Sequence, residues 1–250
     1  MKIRVGSLLD LSTIDWPNHI TLMLFCSGCN FHCPFCMNAT LIPADSGGEI
    51  GIELIEGRVL GNIGFVDAIG ATGGEPGLQP EPVIALFRWA KKKTVKTFLN
   101  TNGSNPQLIE QLLAENLLDH VAIDVKAPLR PEAYSRVIGL SRGVEGIVAN
   151  VRQSLELCRK AGLSVEVRTT VVPTLIEDEK SIREIIRVAR DCSTYVLQQY
   201  FPFEEVPDEK LRRVKPPGRD ALVKLARVSL EEGAGEVYIR TRENGMERIK

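Results

Sequence analysis

The sequence lacks the features that would mark a membrane protein or a nucleic-acid-binding protein. Its 31 basic and 32 acidic residues leave a net charge of −1, so no positive excess points to nucleic acid or to an anionic membrane. The longest strongly apolar run, Ile20–Cys26, is far too short to span a bilayer. Residues 1–10 also lack the basic-then-apolar order of a signal peptide. We therefore expect a cytoplasmic protein that does not contact a membrane.

Repeats, low-complexity tracts and long linkers are absent as well. Apolar residues make up 44% and charged residues 25% of the chain, as is typical of a globular protein with a buried core. We expect one domain over residues 1–250, with a core over about residues 20–240.

Short apolar runs alternate with amphipathic stretches, which predicts strands and helices in turn. The predicted strands are Thr21–Phe25, Val66–Ala71, Val95–Leu99, His120–Val125, Ser164–Val172, Tyr195–Gln199 and Glu236–Ile239. Among the helices, Asn105 and Pro106 suit an N-cap and a first helical position. The alternation indicates βαβ units, and six units are too few for an eight-fold barrel. The expected fold class is α/β, a partial (β/α)6 TIM-like barrel with a mainly parallel sheet that is open on one side.

The cysteines are clustered. Four of the six cysteines, Cys26, Cys29, Cys33 and Cys36, fall within eleven residues, which indicates metal ligation more than a disulfide framework. Two kinds of centre remain open. Zinc would take all four thiolates as a closed set, whereas a four-iron cluster on the last three would leave one iron open. The apolar Phe35 favours the cluster, because a cluster needs an apolar cover.

The spacing Cys29-x3-Cys33-x2-Cys36, with Phe35 just before the last cysteine, resembles the signature of the radical S-adenosylmethionine (radical SAM) superfamily. The resemblance implies a [4Fe–4S] cluster on these three cysteines and S-adenosylmethionine at its open iron, with Phe35 beside the cofactor. It also implies that Cys26 is not a ligand. In that family the reduced cluster cleaves the cofactor to methionine and a 5′-deoxyadenosyl radical.

The run Gly73-Gly74-Glu75-Pro76 follows the predicted strand Val66–Ala71. Glycines let a backbone approach a ligand closely, and a glutamate can accept a hydrogen bond from an ammonium group. An ordinary strand-to-helix turn would have the same pattern. The run resembles the superfamily motif that binds the amino group of S-adenosylmethionine. The near-copy Gly47-Gly48-Glu49 has no strand before it, and we expect a loop there.

Two further motifs follow predicted strands. Asn102 lies in Asn100–Gly103, which is either a common Asn-Gly turn or, by resemblance, a contact near the cofactor ribose. Asp124 and Lys126 end the next strand and are either an ion pair or, by resemblance to glycyl-radical activating enzymes, a contact to the cofactor carboxylate. In that group Asp124 would also help to hold a monovalent cation, and both residues are candidate catalytic residues.

Two later residues are weaker candidates for cofactor contacts. Arg168 shares one strand face with Glu166, so a structural ion pair and a cofactor contact are both open. Gln199 closes the next strand, in a region where the resembled pyruvate formate-lyase activating enzyme has a histidine. The absence of that histidine puts the contact of Gln199 in question.

The segment Leu11–Pro17 resembles the activating proteins of anaerobic ribonucleotide reductase and related glycyl-radical enzymes. This implies an enzyme that generates a glycyl radical on a partner protein and takes its electron from a donor such as flavodoxin or ferredoxin. One alternative is a radical enzyme acting on a small molecule or on a modified RNA nucleoside, although the net charge argues against nucleic acid. A second is a zinc-stabilised interaction domain without catalysis.

Overall fold

The computed structural model describes residues 1–250, which form ten strands and seven α-helices. The strands are β1 (Lys2–Ser12), β2 (Thr21–Cys26), β3 (Gly48–Gly51), β4 (Ala68–Gly73), β5 (Lys96–Thr101), β6 (His120–Asp124), β7 (Val165–Val171), β8 (Thr194–Gln199), β9 (Glu236–Thr241) and β10 (Gly245–Ile249). The helices are α1 (Ile52–Gly61), α2 (Pro80–Lys92), α3 (Pro106–Ala114), α4 (Pro131–Ile138), α5 (Val144–Lys160), α6 (Glu179–Ala189) and α7 (Arg219–Glu231). None of the helices has the length and apolar character needed to cross a membrane.

The chain divides into two compact units. The first unit comprises residues 1–30, 40–101 and 105–121, and the second comprises residues 31–39, 102–104 and 122–250. Strand β6 is shared, because its first two residues belong to the first unit and its last three to the second. The single domain expected over residues 1–250 therefore stays a prediction.

In the first unit the strands lie in the order β3-β1-β2-β4-β5-β6. Strands β2, β4 and β5 run parallel, and the register places Cys26 opposite Gly73. Strand β1 runs antiparallel to both of its neighbours. The parallel pairing brings the carboxyl ends of β2 and β4 to one edge, so the start of the cysteine loop and the glycine run are neighbours.

In the second unit the order is β6-β7-β8-β9-β10. Strands β7, β8 and β9 are parallel, and β10 returns antiparallel to β9 as a hairpin. Apolar side chains of α5, α6 and α7 are buried, which covers the strands as expected for βαβ units. The α/β class and the mainly parallel, open sheet are confirmed, since β3 and β10 each have a neighbour on one side only.

All seven predicted strands are present within one to two residues of the expected bounds. The side chain of Asn105 accepts a hydrogen bond from the Leu108 amide, so it caps α3 as predicted. The loop expected at Gly47–Glu49 is wrong in part, because Gly48 and Glu49 begin β3 and pair with β1. Cys192 is half-buried, with its Sγ 3.3 Å from the Thr194 carbonyl oxygen.

Candidate active site

The cysteine loop begins where β2 ends, in the first unit. Backbone amides fix its path: Gly28 donates to the Leu41 carbonyl at 2.8 Å and Cys29 donates to the Ile42 carbonyl at 3.0 Å. Cys26 is 0% exposed. Burial raises the pKa of its thiol well above the usual value, and the negative charge of Glu75 raises it further. Because the thiolate is the form that binds metal, this environment disfavours Cys26 as a ligand.

Gly73, the last residue of β4, packs against the end of β2, and Gly74 packs against the cysteine loop. The Gly74 amide donates to the Cys26 carbonyl at 2.8 Å, and the Glu75 amide donates to the Gly28 carbonyl at 2.7 Å. A Cβ on Gly74 would lie 2.1 Å from the Gly28 oxygen, and Gly73 has a φ of +108°. A side chain at either position would clash with the backbone of the protein itself, so both positions require glycine. The sequence motif alone does not reveal this reason.

Glu75 is 0% exposed, and its carboxylate is held inside the first unit. Its Oε1 accepts from the Gly77 amide at 2.8 Å and from the Thr101 hydroxyl at 2.6 Å. The carboxylate thereby caps the short turn Pro76–Leu78, in which Pro76 is buried. An ammonium contact from Glu75 stays a prediction, but a structural role for this side chain is evident.

Gln79 is a residue of this region that the sequence did not indicate. Its side chain accepts from the Arg4 amide at 2.8 Å and donates to the Arg4 carbonyl at 2.9 Å and to the Ser27 carbonyl at 3.2 Å. It ties β1 to the start of the cysteine loop. A lone glutamine beside a proline carries no sequence signal, so only the structure reveals this contact.

The second half of the cysteine loop lies in the second unit and rests on α4. The Cys36 amide donates to the Cys33 carbonyl at 3.0 Å, which closes a tight turn around the buried Phe35. The His32 amide donates to the Ile138 carbonyl at 2.8 Å. Helix α4 ends there at Gly139, whose φ of +69° is typical of a left-handed helix stop.

An aromatic contact adds to this support. The rings of Phe31 and Tyr134 meet edge to face with centroids 6.3 Å apart, and both side chains are buried. The Tyr134 oxygen lies 3.5 Å from the Lys126 amide. Burial raises the pKa of Tyr134, so its hydroxyl stays protonated at neutral pH. Helix α4, absent from the predicted elements, thus connects the cysteine loop to the residues after β6.

Asp124 and Lys126 form the ion pair that the sequence left open, with Nζ 2.8 Å from Oδ2. Their side chains are 22% and 18% exposed. Burial by itself lowers the pKa of Lys126, but the charges of Asp124, Cys33 and Cys36 raise it overall. The ammonium therefore stays charged at neutral pH. Burial raises the pKa of Cys36, and the positive charge of Lys126 offsets this only in part.

The other predicted site residues of the second unit have protein partners. The Asn102 Oδ1 accepts from the Ser104 amide at 2.9 Å, which is the local turn that the Asn-Gly dipeptide predicts. Arg168 and Glu166 form a buried ion pair, as the structural alternative for Arg168 expects. The Gln199 side chain donates to the Pro217 carbonyl and accepts from the Arg242 amide, both at 2.9 Å. Cofactor contacts of these three residues stay predictions.

Replacing Gly139 with Ala should destabilise the cysteine loop. A Cβ there would lie 2.1 Å from the His32 carbonyl oxygen, at a φ of +69°. We expect the free energy of unfolding to fall by about 1–3 kcal/mol, in addition to the cost of the backbone strain. We also expect less iron bound per chain.

Gly162→Ala is the matched control, because Gly162 has a φ of +65° and a Cβ there would meet no atom within 4 Å. Urea unfolding of both variants measures the difference. Equal losses of stability would show that contact with His32 contributes nothing.

Comparison with known proteins identifies the family of this chain. The family model described as the radical SAM superfamily matches residues 23–189. A putative glycyl-radical enzyme activating enzyme of Methanocaldococcus jannaschii is 35% identical over 241 residues, which cover 96% of this chain and 97% of that protein. The pyruvate formate-lyase 1-activating enzyme of Escherichia coli K12 is 27% identical over 241 residues, which cover 89% of this chain and 93% of that protein.

Among solved structures, a radical SAM methyltransferase from Sphaerobacter thermophilus has a similar fold. The TM-score is 0.70 at 15% identity, over 90% of this chain and 67% of that chain, and the likeness concerns the fold alone. The family match, the full-length relative and the cysteine loop after β2 agree with one another. The chain belongs to the radical SAM superfamily.

Proposed function

We propose that this protein is a radical SAM activating enzyme that generates a glycyl radical on a partner protein. The observation that carries the proposal is the 35% identity to a putative glycyl-radical enzyme activating enzyme, which extends over nearly the whole of both chains. The second relative, a pyruvate formate-lyase activating enzyme, supports the same class. Membership of the superfamily supports an iron–sulfur cluster over the zinc site that was the alternative.

In this proposal Cys29, Cys33 and Cys36 would hold a [4Fe–4S] cluster, as membership of the superfamily implies. None of the six cysteines forms a disulfide, and the ammonium of Lys126 lies near Cys33 and Cys36. When bound and reduced, the cluster supplies the electron that cleaves S-adenosylmethionine to methionine and a 5′-deoxyadenosyl radical. Phe35 shields this part of the loop from water, since its side chain is buried.

The residues of this chain bind and orient the cofactor. Gly73, Gly74 and Glu75, followed by Pro76, would hold its amino group, and Asn102 would contact its ribose. Lys126, which stays charged at neutral pH, attracts its carboxylate, while Asp124 fixes the lysine through the 2.8 Å ion pair. Asp124 also contributes an oxygen ligand for a monovalent cation. Arg168 and Gln199 are further contact candidates in this proposal.

The partner is a glycyl-radical protein, such as an anaerobic ribonucleotide reductase. The electron comes from a low-potential donor such as flavodoxin or ferredoxin. A cytoplasmic location belongs to the same proposal, because six cysteines without a disulfide suit a reducing compartment.

Electron paramagnetic resonance tests the proposal. Reconstituted enzyme, S-adenosylmethionine, dithionite and the glycyl-radical protein of the same genome should give a stable glycyl doublet. Asp124→Ala should lower the doublet yield at least tenfold while the iron content and the melting temperature change little, because the residue orients Lys126 rather than supporting the core. Cleavage of S-adenosylmethionine without any doublet would contradict the proposed substrate class and leave the small-molecule alternative.

A further inference from the structure

The loop between β8 and α7, residues 200–218, is fixed to the cysteine loop. The Asp208 amide donates to the Pro34 carbonyl at 3.1 Å, and Pro34 lies between Cys33 and Cys36. The buried Tyr200 hydroxyl donates to the Leu211 carbonyl at 3.1 Å, and the side chain of Leu211 is buried. The long loop is therefore held in one place beside the cysteines.

This loop presents four exposed cations, which we call the basic segment: Lys210, Arg212, Arg213 and Lys215. None of the four side chains forms an ion pair, although the Lys210 amide donates to the Asp208 carboxylate at 2.7 Å. By contrast, Arg183, Arg187 and Arg219 on helices α6 and α7 are all paired with glutamates. The Arg212 Nε donates to the Val206 carbonyl at 2.6 Å. The chain has a net charge of −1. Four cations without an ion-pair partner are concentrated in the six residues 210–215, and they form a local positive surface.

The same loop is acidic in its first half. Glu204, Glu205 and Glu209 are exposed and precede or adjoin the basic segment. A uniformly negative polymer such as nucleic acid would be repelled by these carboxylates as much as it is attracted by the cations. A folded protein, which displays its charges in discrete patches, can meet the basic segment with an acidic patch and avoid the glutamates.

We propose that the basic segment is the docking surface for an acidic one-electron carrier protein that reduces the cluster. This rests on the proposed function, because only a cluster enzyme needs such a donor. Redox partners form small, transient interfaces of charged side chains, whereas a stable substrate complex needs a central apolar core. The basic segment is a charged surface of the kind that transient redox interfaces use. Its hydrogen bond to Pro34 would bring a docked carrier next to Cys33 and Cys36.

The electron transfer is balanced without a proton. The flavin hydroquinone anion of a reduced flavodoxin loses one electron and becomes the neutral semiquinone, and the oxidised cluster gains that electron. The charges of the basic segment steer the encounter and take no part in the transfer itself.

Stopped-flow reduction of the reconstituted enzyme by reduced flavodoxin, and separately by reduced ferredoxin, tests the proposal. The test variant is Lys210→Gln, Arg213→Gln and Lys215→Gln together, with Arg212 left to hold Val206. At low salt we expect the bimolecular rate to fall roughly tenfold, and the dependence on salt to flatten. The charge-conserving variant Lys210→Arg, Arg213→Lys and Lys215→Arg should restore the rate.

A matched control removes three exposed cations outside residues 200–218: Lys92→Gln, Lys93→Gln and Arg227→Gln. It should be reduced as fast as the wild type, and dithionite should reduce all variants equally. Equal rates for the test variant and the wild type with both carriers, or no salt dependence in the wild type, would overturn the proposal. So would normal reduction combined with weaker binding of the glycyl-radical protein or of RNA, because the segment would then serve that ligand.

A different result would contradict the proposed function than would contradict the docking surface. If dithionite reduces the cluster but no glycyl doublet forms on the partner, the substrate is wrong, yet the carrier measurement remains interpretable. The two failures are therefore distinguishable.

Discussion

Replacing Cys33 with Ala should abolish the iron–sulfur cluster, whereas replacing Cys26 with Ala should leave iron binding at the wild-type level. Cys26 ends β2, is 0% exposed and stands beside the carboxylate of Glu75. Burial and the nearby negative charge both stabilise the neutral thiol over the thiolate that a metal requires. Cys33 instead lies near the ammonium of Lys126.

The measurement is iron and sulfide per chain after anaerobic reconstitution, with the absorbance of the cluster as a second readout. Cys158→Ala is the matched control for loss of a buried thiol, because Cys158 is 0% exposed in α5 and burial raises its pKa to about 12. Its substitution should leave the iron content unchanged. Loss of iron in Cys26→Ala as complete as in Cys33→Ala would make Cys26 a ligand and would return the four-cysteine zinc arrangement to consideration.

Replacing Gly74 with Ala should weaken the binding of S-adenosylmethionine by at least tenfold. The added methyl group would lie 2.1 Å from the carbonyl oxygen of Gly28, so the cysteine loop and the glycine run cannot keep their present separation. Overpacking of this kind costs about 1–3 kcal/mol, and a tenfold change in affinity corresponds to about 1.4 kcal/mol. The backbone that would face the cofactor must therefore move.

The chain contains its own control for this change. Gly48 is the second glycine of the other Gly-Gly-Glu run, and a Cβ there would meet nothing within 4 Å. Gly48→Ala should bind the cofactor as the wild type does. Equilibrium binding of S-adenosylmethionine, expressed per cluster, separates a direct effect from loss of iron. Wild-type affinity in Gly74→Ala would remove the glycine run from the cofactor site.

The parallel strands are predictable because their signals are local. Each is a short apolar run followed by a turn or a helix cap, and the cap of α3 at Asn105 follows from two adjacent residues. The remaining strands, β1, β3 and β10, have no such signal. Strand β1 has two irregularities in its pairing with β2, between Val5 and Ser7 and between Leu9 and Ser12, which break the alternation that marks a strand. Strand β3 is held by pairing with β1, a long-range contact without a local pattern.

By itself, the sequence determined the class of chemistry. The three-then-two spacing of Cys29, Cys33 and Cys36, the position of Gly73–Pro76 after a strand, and the alternation of strands and helices are all local or periodic features. The alternation predicts an α/β fold, and the resemblance of the two motifs to the radical SAM superfamily implies the cofactor pair, with which the family match agrees. Spacing constrains chemistry because ligands of one centre must lie within a few residues when a single loop provides them.

Tertiary structure alone decided what each of these residues contacts. In the folded chain Gly74 packs against Gly28, and the buried Glu75 accepts a hydrogen bond from Thr101. His32 bonds to the end of α4, and Asp208 bonds to Pro34. Even the nearest of these pairs along the chain, Glu75 and Thr101, is 26 positions apart. No local pattern encodes such pairs, because they depend on how the strands align and on which backbone groups remain to be bonded once the sheet has formed.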